Sequence, residues 1–437
     1  MKKIIIGLLV AGAAVAANAQ DKALLETLVK KGMLTQQEAA QIAKDSVSVS
    51  PAAKSTKSIK IFGGGQGWYS WGQSSIREPG SVSSPRQTSG FTLQYVKLGV
   101  EADVGAGWSG TIVTDFGDGI KGTNYLDKVI ASKKFDLDYL NGRLDLGLRK
   151  VNMGYEQNMC DFGQLAIDRS VATYFFTRAD GNDSVAKNFG SRTVGVFWEG
   201  NVLQVAGLYY SAAVTSSVSE GSDDVLKASN SLSFWASLGY KKVAEVNGES
   251  ISYDAGINFG YAPQGSSLAY DEAIGTGSIW GINPYASINW RGLTFIGEFF
   301  FQQVEDYNAA SAGTCRSPFG ANATVAYKMD LGEWGALEPV ARFSFVASNG
   351  LGVSAAGQLS SGSSLGYDSE LRNGLSFDNA LTMFVGVNWY PTAAVKTSIG
   401  YEYGYYYDRA TQGSATGAGD VYRAYNNTVR AQVQVLF

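Results

Sequence analysis

Residues 429–437 alternate in polarity. Val429, Ala431, Val433, Val435 and Phe437 fall on one side, and Arg430, Gln432, Gln434 and Leu436 on the other. A period of two is the mark of a strand with unlike faces. The same pattern recurs upstream. In 381–389, Leu381, Met383, Val385, Val387 and Trp389 oppose Thr382, Gly386 and Asn388. In 251–261, Ile251, Tyr253, Ala255, Ile257, Phe259 and Tyr261 oppose Ser252, Asp254, Gly256, Asn258 and Gly260.

The alternation predicts sixteen strands. The first eight cover 59–71, 91–104, 108–116, 123–135, 143–151, 190–199, 202–213 and 230–242. The last eight cover 250–262, 277–290, 293–305, 319–331, 337–348, 379–391, 394–407 and 425–437. Tight turns at "GAG" (105–107), "GN" (200–201), "RG" (291–292) and "PTAA" (391–394) alternate with long polar connections. The long ones lie near 72–90, 152–189, 214–229, 263–276, 306–318, 349–378 and 408–424. Short turns at one end and long loops at the other mark an up-and-down transmembrane barrel. A soluble sandwich would scatter long connections over both ends. The expected fold is therefore all-β, a 16-stranded antiparallel transmembrane β-barrel over 59–437. Apolar faces meet lipid, and polar faces line a water-filled interior. An open strand edge cannot sit in lipid, so the last strand must pair with the first. Val433, Val435 and Phe437 mark that barrel-closing strand.

Residues 1–58 read differently. "MKK", then "IIIGLLVAGAAVA", then "ANAQ" form a basic start, a short apolar run and small residues at Ala17 and Ala19. This predicts a signal peptide over 1–19 and export past the inner membrane. Residues 20–46 are charged, free of aromatics and helical in pattern. Leu24, Leu25, Leu28 and Val29 share a face, and Thr35 with Glu38 forms a capping box. These helices are short and need a partner: a trimer bundle, the barrel mouth or the cell wall. Residues 47–58 read as a linker.

Composition narrows the function. The 53 Gly, 24 Tyr, 21 Phe and 9 Trp suit a wall with aromatic girdles at two water–lipid boundaries. Without Lys2 and Lys3, 33 basic residues stand against 39 acidic ones, so nothing points to nucleic acid. The chain has no histidine, which removes Ser-His, Cys-His and histidine–metal chemistry. No cofactor or metal is implied. Asp115, Asp118 and Asp127 could hold calcium at a rim, although solvated turn acids are the plainer reading. Cys160 and Cys315 are the two cysteines, and in an oxidising compartment they are either a disulfide or two thiols.

"LLETLVKKGMLTQQEAAQI", "GFTLQYVKLGVEADVGAGWSGTIVTDFG", "GYEQNMCDFGQLAIDRSVA" and "FVGVNWYPTAAVKTSIGYEY" occur in this order. Together they resemble the phosphate-selective porins O and P. The resemblance implies a homotrimeric outer-membrane porin with a short periplasmic helical start. Its partners would be outer-membrane lipid, the outer-membrane insertion machinery and small hydrophilic solutes or anions. The chain departs from the family at "RKVNMGYE", and no basic ladder or central lysine cluster can be traced. Inward charges look balanced: Lys97, Arg143, Arg149, Lys328, Arg342, Lys396 and Arg430 face Glu101, Asp103, Asp145, Asp254, Glu298, Glu338 and Glu402.

A barrel this wide needs a constriction. The longest connection, about 152–189, is expected to fold inward and set selectivity through its charges. The candidates there are Glu156, Asp168, Arg169, Arg178 and Lys187, flanked by Arg149, Lys150 and Arg192. Arg169 and Arg178 are the leading pair.

Overall fold

The computed structural model describes residues 58–437 apart from 79–80, 83–85, 118–125, 178–188, 191, 217–230, 247, 272–274, 309–310, 352, 355–375 and 410–422. The expected signal peptide, helical segment and linker lie outside the described residues, as do Asp118, Arg178 and Lys187.

Sixteen wall strands form one closed antiparallel sheet. They are β1 (Ser58–Glu78), β2 (Arg86–Gly105), β3 (Trp108–Asp115), β4 (Leu126–Asp136), β5 (Leu140–Lys150), β6 (Arg192–Val202), β7 (Leu208–Ser216) and β8 (Leu232–Val246). The second half is β9 (Glu249–Asp271), β10 (Gly275–Trp290), β11 (Leu293–Asn308), β12 (Phe319–Tyr327), β13 (Ala336–Ala347), β14 (Ser376–Thr392), β15 (Val395–Arg409) and β16 (Arg423–Leu436). Each strand pairs with its sequence neighbour, and β16 closes on β1 from Gly64↔Leu436 to Arg77↔Arg423. Gly63 and Phe437 exchange both backbone hydrogen bonds at 3.1 Å. The closing strand therefore leaves no edge in lipid, as the alternation of 429–437 requires.

Sidedness follows the predicted faces. Val385 and Val433 are each 56% exposed outside, whereas Thr382, Gln432 and Gln434 are buried inside. Exposed aromatics gather at two levels. Trp108, Trp290, Tyr327, Trp334 and Trp389 sit beside the short turns, and Phe91, Phe234, Tyr261 and Phe319 sit toward the long loops. These are the girdles of a membrane barrel. At the short-turn level, Lys133 lies over Trp108 and Arg291 over Trp290, with the charge held at the boundary. Among the described residues, no helix is long and apolar enough to cross a membrane.

Two local expectations change. "GN" at 200–201 lies within β6, and the turn follows at 203–207. Strand pairing also runs into the predicted loops 72–90 and 263–276, because β1, β2, β9 and β10 continue past the apolar band. Polar alternation outside lipid still supports backbone pairing, so the end of the apolar pattern does not mark the end of the strand.

Candidate functional site

The chain leaves β5 at Lys150 and turns into the barrel. Residues 151–177 carry α1 (Tyr155–Asn158), a 3₁₀ turn at Asp161–Gly163 and α2 (Val171–Thr177). Gly154 makes the inward turn with φ +89°, a conformation that suits glycine. Met153, Ala172, Phe176 and Thr177 have no solvent exposure. Phe176 stacks on Phe300 of β11, with centroids 5.1 Å apart and planes 4° from parallel. Ala166 and Ile167 pack with Trp68, Val340 and Phe384.

Polar wall residues satisfy the segment's backbone, which has no ladder of its own. Gln434, Asn388 and Gln302 donate to the carbonyls of Phe162 (3.0 Å), Leu165 (2.9 Å) and Phe176 (2.9 Å). Lys396 Nζ donates to the Gln164 carbonyl at 2.5 Å. Glu298 accepts from the N–H groups of Tyr155 (2.7 Å) and Glu156 (3.2 Å), capping α1 from the opposite wall. Glu156 Oε2 accepts from Ser170 N–H (3.0 Å) and the Thr173 hydroxyl (2.6 Å) at the start of α2.

Two charge networks fasten the segment to the wall. Arg342 pairs with Glu156 and Glu402, both at 3.1 Å. Arg430 pairs with Asp168 at 3.2 Å. On the other side, Asp161 takes Lys97 and Arg169 as direct partners, with Lys150 at 3.4 Å and Arg192 at 4.0 Å. Burial alone would push the Asp161 carboxyl up. The charges of Lys150, Lys97, Arg169 and Arg192 outweigh burial and hold it well below the usual carboxylate range. Burial likewise opposes the Arg169 charge, but Asp161 raises its pKa well above the ordinary value.

Between the segment's edge at 158–162 and the inner faces of β1–β5 lies a cavity of about 620 Å³. Six basic side chains line it: Lys97, Lys128, Lys134, Arg143, Arg149 and Lys150. Glu101, Asp127 and Asp161 are the acids of the lining. Most of these charges are already paired. Arg143 and Arg149 share Asp145 and Glu199 at 2.5–2.9 Å. Lys97 holds Asp115 at 3.6 Å and Asp127 at 3.0 Å. Among the described residues, no carboxylate lies within ion-pair distance of Lys128 or Lys134, and no cation within that distance of Glu101.

Of the candidates chosen from sequence, Arg149 and Lys150 line this cavity. Glu156, Asp168 and Arg169 do not. They are buried in the contacts that hold the segment in place, and Arg169 donates to Tyr95 at 3.1 Å. Arg192 is engaged with Asp127 behind the lining. Asp115 and Asp127 answer to Lys97 and Arg192, so their charge is met by cations of the chain itself. Cys160 and Cys315 are both free thiols: Cys160 faces the cavity, and Cys315 sits opposite Glu305 on a short strand, Ser311–Arg316, that pairs with β11 and leads into β12. Lys128 and Lys134 are not evident as lining residues from the sequence, because β4 carries Lys133 on its outer face and Ile130 on its inner one, which blurs the alternation.

No protein-family model matches the sequence, and comparison with curated proteins gives no match. Solved structures do match in fold. The anion-selective porin from Comamonas acidovorans is 12% identical, with a TM-score of 0.51 over 87% of this chain and 99% of its own. The outer membrane channel DcaP of Acinetobacter baumannii is 12% identical, with a TM-score of 0.54 over 89% and 99%. Pseudomonas putida OprB is 12% identical, with a TM-score of 0.52 over 85% and 94%. The chain is thus similar in fold to outer-membrane porins and channels, over almost the whole length of each.

Proposed function

We propose that this chain is a passive porin of the outer membrane, through which small hydrophilic solutes and ions diffuse down their gradients. One observation carries the reading. A closed barrel with an apolar exterior encloses a polar interior, and its inward segment narrows that interior beside the 620 Å³ cavity, which we read as the solute passage. Residues 1–19 serve as the export signal. The short-turn end faces the periplasm and the long loops face outward, the arrangement usual for such barrels. Three copies assemble, as the resemblance to the phosphate-selective porins implies.

A preference for anions is the sharper form of this reading. It is supported by Lys128 and Lys134, the two lining cations without a carboxylate partner among the described residues, against one such acid, Glu101. The anion selectivity in the Comamonas protein's name is compatible with it. The excess is small, so the preference is modest. The test is single-channel current of the purified protein in a planar bilayer under a KCl gradient. Steps in threes with a reversal potential mildly toward chloride are the expected result. Absence of channels from protein shown to be folded would sink the reading.

A further inference from the structure

The passage has two unlike sides. One side is the basic inner face of β4 and β5, where Lys128 lies near Arg149 and Lys134 is paired in register with Arg143. The facing side is mainly apolar, with Phe62 of β1, Leu436 of β16, and Met159 and Phe162 on the edge of the inward segment; the Lys60 ammonium lies 5.7 Å from the centre of the Phe62 ring. Gly64 makes room for it, since a Cβ there would stand 3.1 Å from the Phe162 ring and 2.7 Å from Leu436. Gly99 does the same for the ring of Phe62.

This arrangement suits a small hydrated dianion poorly. Stripping water from such an ion needs several donors converging on one point. Here Lys97 and Lys150 are committed to Asp161, and Arg143 and Arg149 to Asp145 and Glu199. Lys128 and Lys134 stand six residues apart on one strand, about 20 Å. Each offers a single charge contact, and no one ion reaches both. Glu101, across Thr111 from Ile130, opposes a second negative charge on the same solute.

We infer that the passage favours amphipathic organic monoanions, a carboxylate or sulfonate carried on a compact apolar body. The charged group meets Lys128 or Lys134, and the body slides over Phe62, Phe162 and Leu436. Removing the body from water adds a favourable term that neither chloride nor phosphate can gain. This inference rests on the porin reading and names the solute class of the same passage.

The test uses the full-length protein in planar bilayers, with chloride replaced on one side by acetate, benzoate or phosphate. Benzoate is expected to permeate better than acetate despite its size, or to block at lower concentration, and phosphate to do neither. Phe62→Ser and Phe162→Ser should each cut the benzoate-to-acetate ratio, on the order of tenfold once the ring is removed. Phe62→Ser keeps the test sound if Phe162→Ser loosens the segment. Lys128→Gln with Lys134→Gln should move the reversal potential toward potassium while benzoate still exceeds acetate. Permeabilities that fall simply with solute size, or block by phosphate, would overturn the inference and leave the porin standing. Absence of any KCl current from folded protein would overturn both.

Discussion

Arg342 Nη1 lies 3.1 Å from Glu156 Oε1, with side chains only 1% and 8% exposed. The pair joins the barrel wall to the inward segment. Removing Arg342 leaves Glu156 buried without its cation, while Glu402 keeps Arg430 at 3.6 Å. Breaking a buried pair from one side typically costs about 3–5 kcal/mol. Arg342→Ala should therefore lower the thermal transition of the folded barrel in detergent and raise single-channel conductance as the segment loosens. The double variant Arg342→Met with Glu156→Leu should recover part of the stability. Wild-type values for Arg342→Ala in both measurements would refute the tether.

The pH response follows from Asp161. Its folded-state pKa is depressed, so its contribution is fully present above the unfolded carboxylate value, about 3.9. That contribution is lost as pH falls through the lower folded value. Burial works against the ionised form, and the surrounding Lys150, Lys97 and Arg169 charges carry the difference. The hold of Asp161 on the segment should therefore persist down to about pH 4, with its release only below it. Asp161→Asn should abolish that acid step and shift the reversal potential toward anions, because Lys150 and Arg169 lose their carboxylate partner. A transition near neutral pH that survives in Asp161→Asn would assign the titration elsewhere.

Closure of the barrel depends on room at Gly64. A Cβ there would meet the Val435 carbonyl oxygen at 2.8 Å, a backbone atom that cannot rotate away. Gly64→Ala forces β1 and β16 apart at their shared edge. Overpacking of this kind costs about 1–3 kcal/mol. The heat-stable compact band on a semi-native gel should disappear at a lower temperature than in wild type. Gly65→Ala is the control, since nothing lies within 4 Å of its Cβ position.

The lipid face gives a contrast by polarity. Val385 is 56% exposed on the outside of β14. Near the bilayer midplane, an arginine on the lipid face costs about 2–4 kcal/mol. Val385→Arg should reduce the folded fraction in refolding into lipid vesicles, whereas Val385→Leu should not. Equal folding of the two would argue against the membrane-facing assignment.

The wall was legible in the sequence because lipid imposes a period of two, which is clear in strands such as β14 and β16 and blurred in β4 by Lys133 outside and Ile130 inside. That is why β14 and β16 could be placed with their faces. The site was legible only as a location. The length of 152–189 marks an inward segment, yet its charged residues divide by burial, which sequence does not show. Arg169 looks like a selectivity residue until Asp161 and Tyr95 are seen to enclose it. The wall half of the site, Gln302, Asn388, Lys396 and Gln434, reads as ordinary inward polarity. Only the path of the segment shows that these side chains serve its carbonyls.

Cys160 offers a direct probe of the passage. It is a free, exposed thiol on the segment edge, beside Asp161 and across from the basic wall, whereas Cys315 lies on the short strand Ser311–Arg316 paired with β11. A methanethiosulfonate reagent adds a charged arm by forming a disulfide with the thiol. Both cysteines should be labelled in the folded barrel, but only the arm on Cys160 stands in the path of solutes. The sulfonate reagent should reduce current in wild type and in Cys315→Ser, and leave Cys160→Ser unaffected. The trimethylammonium reagent should also narrow the passage, but it should move the reversal potential toward anions where the sulfonate moves it toward cations. That opposite sign separates field from obstruction. If the block instead follows Cys315, the conducting path runs elsewhere in the barrel, and the assignment of the passage to the β1–β5 side fails.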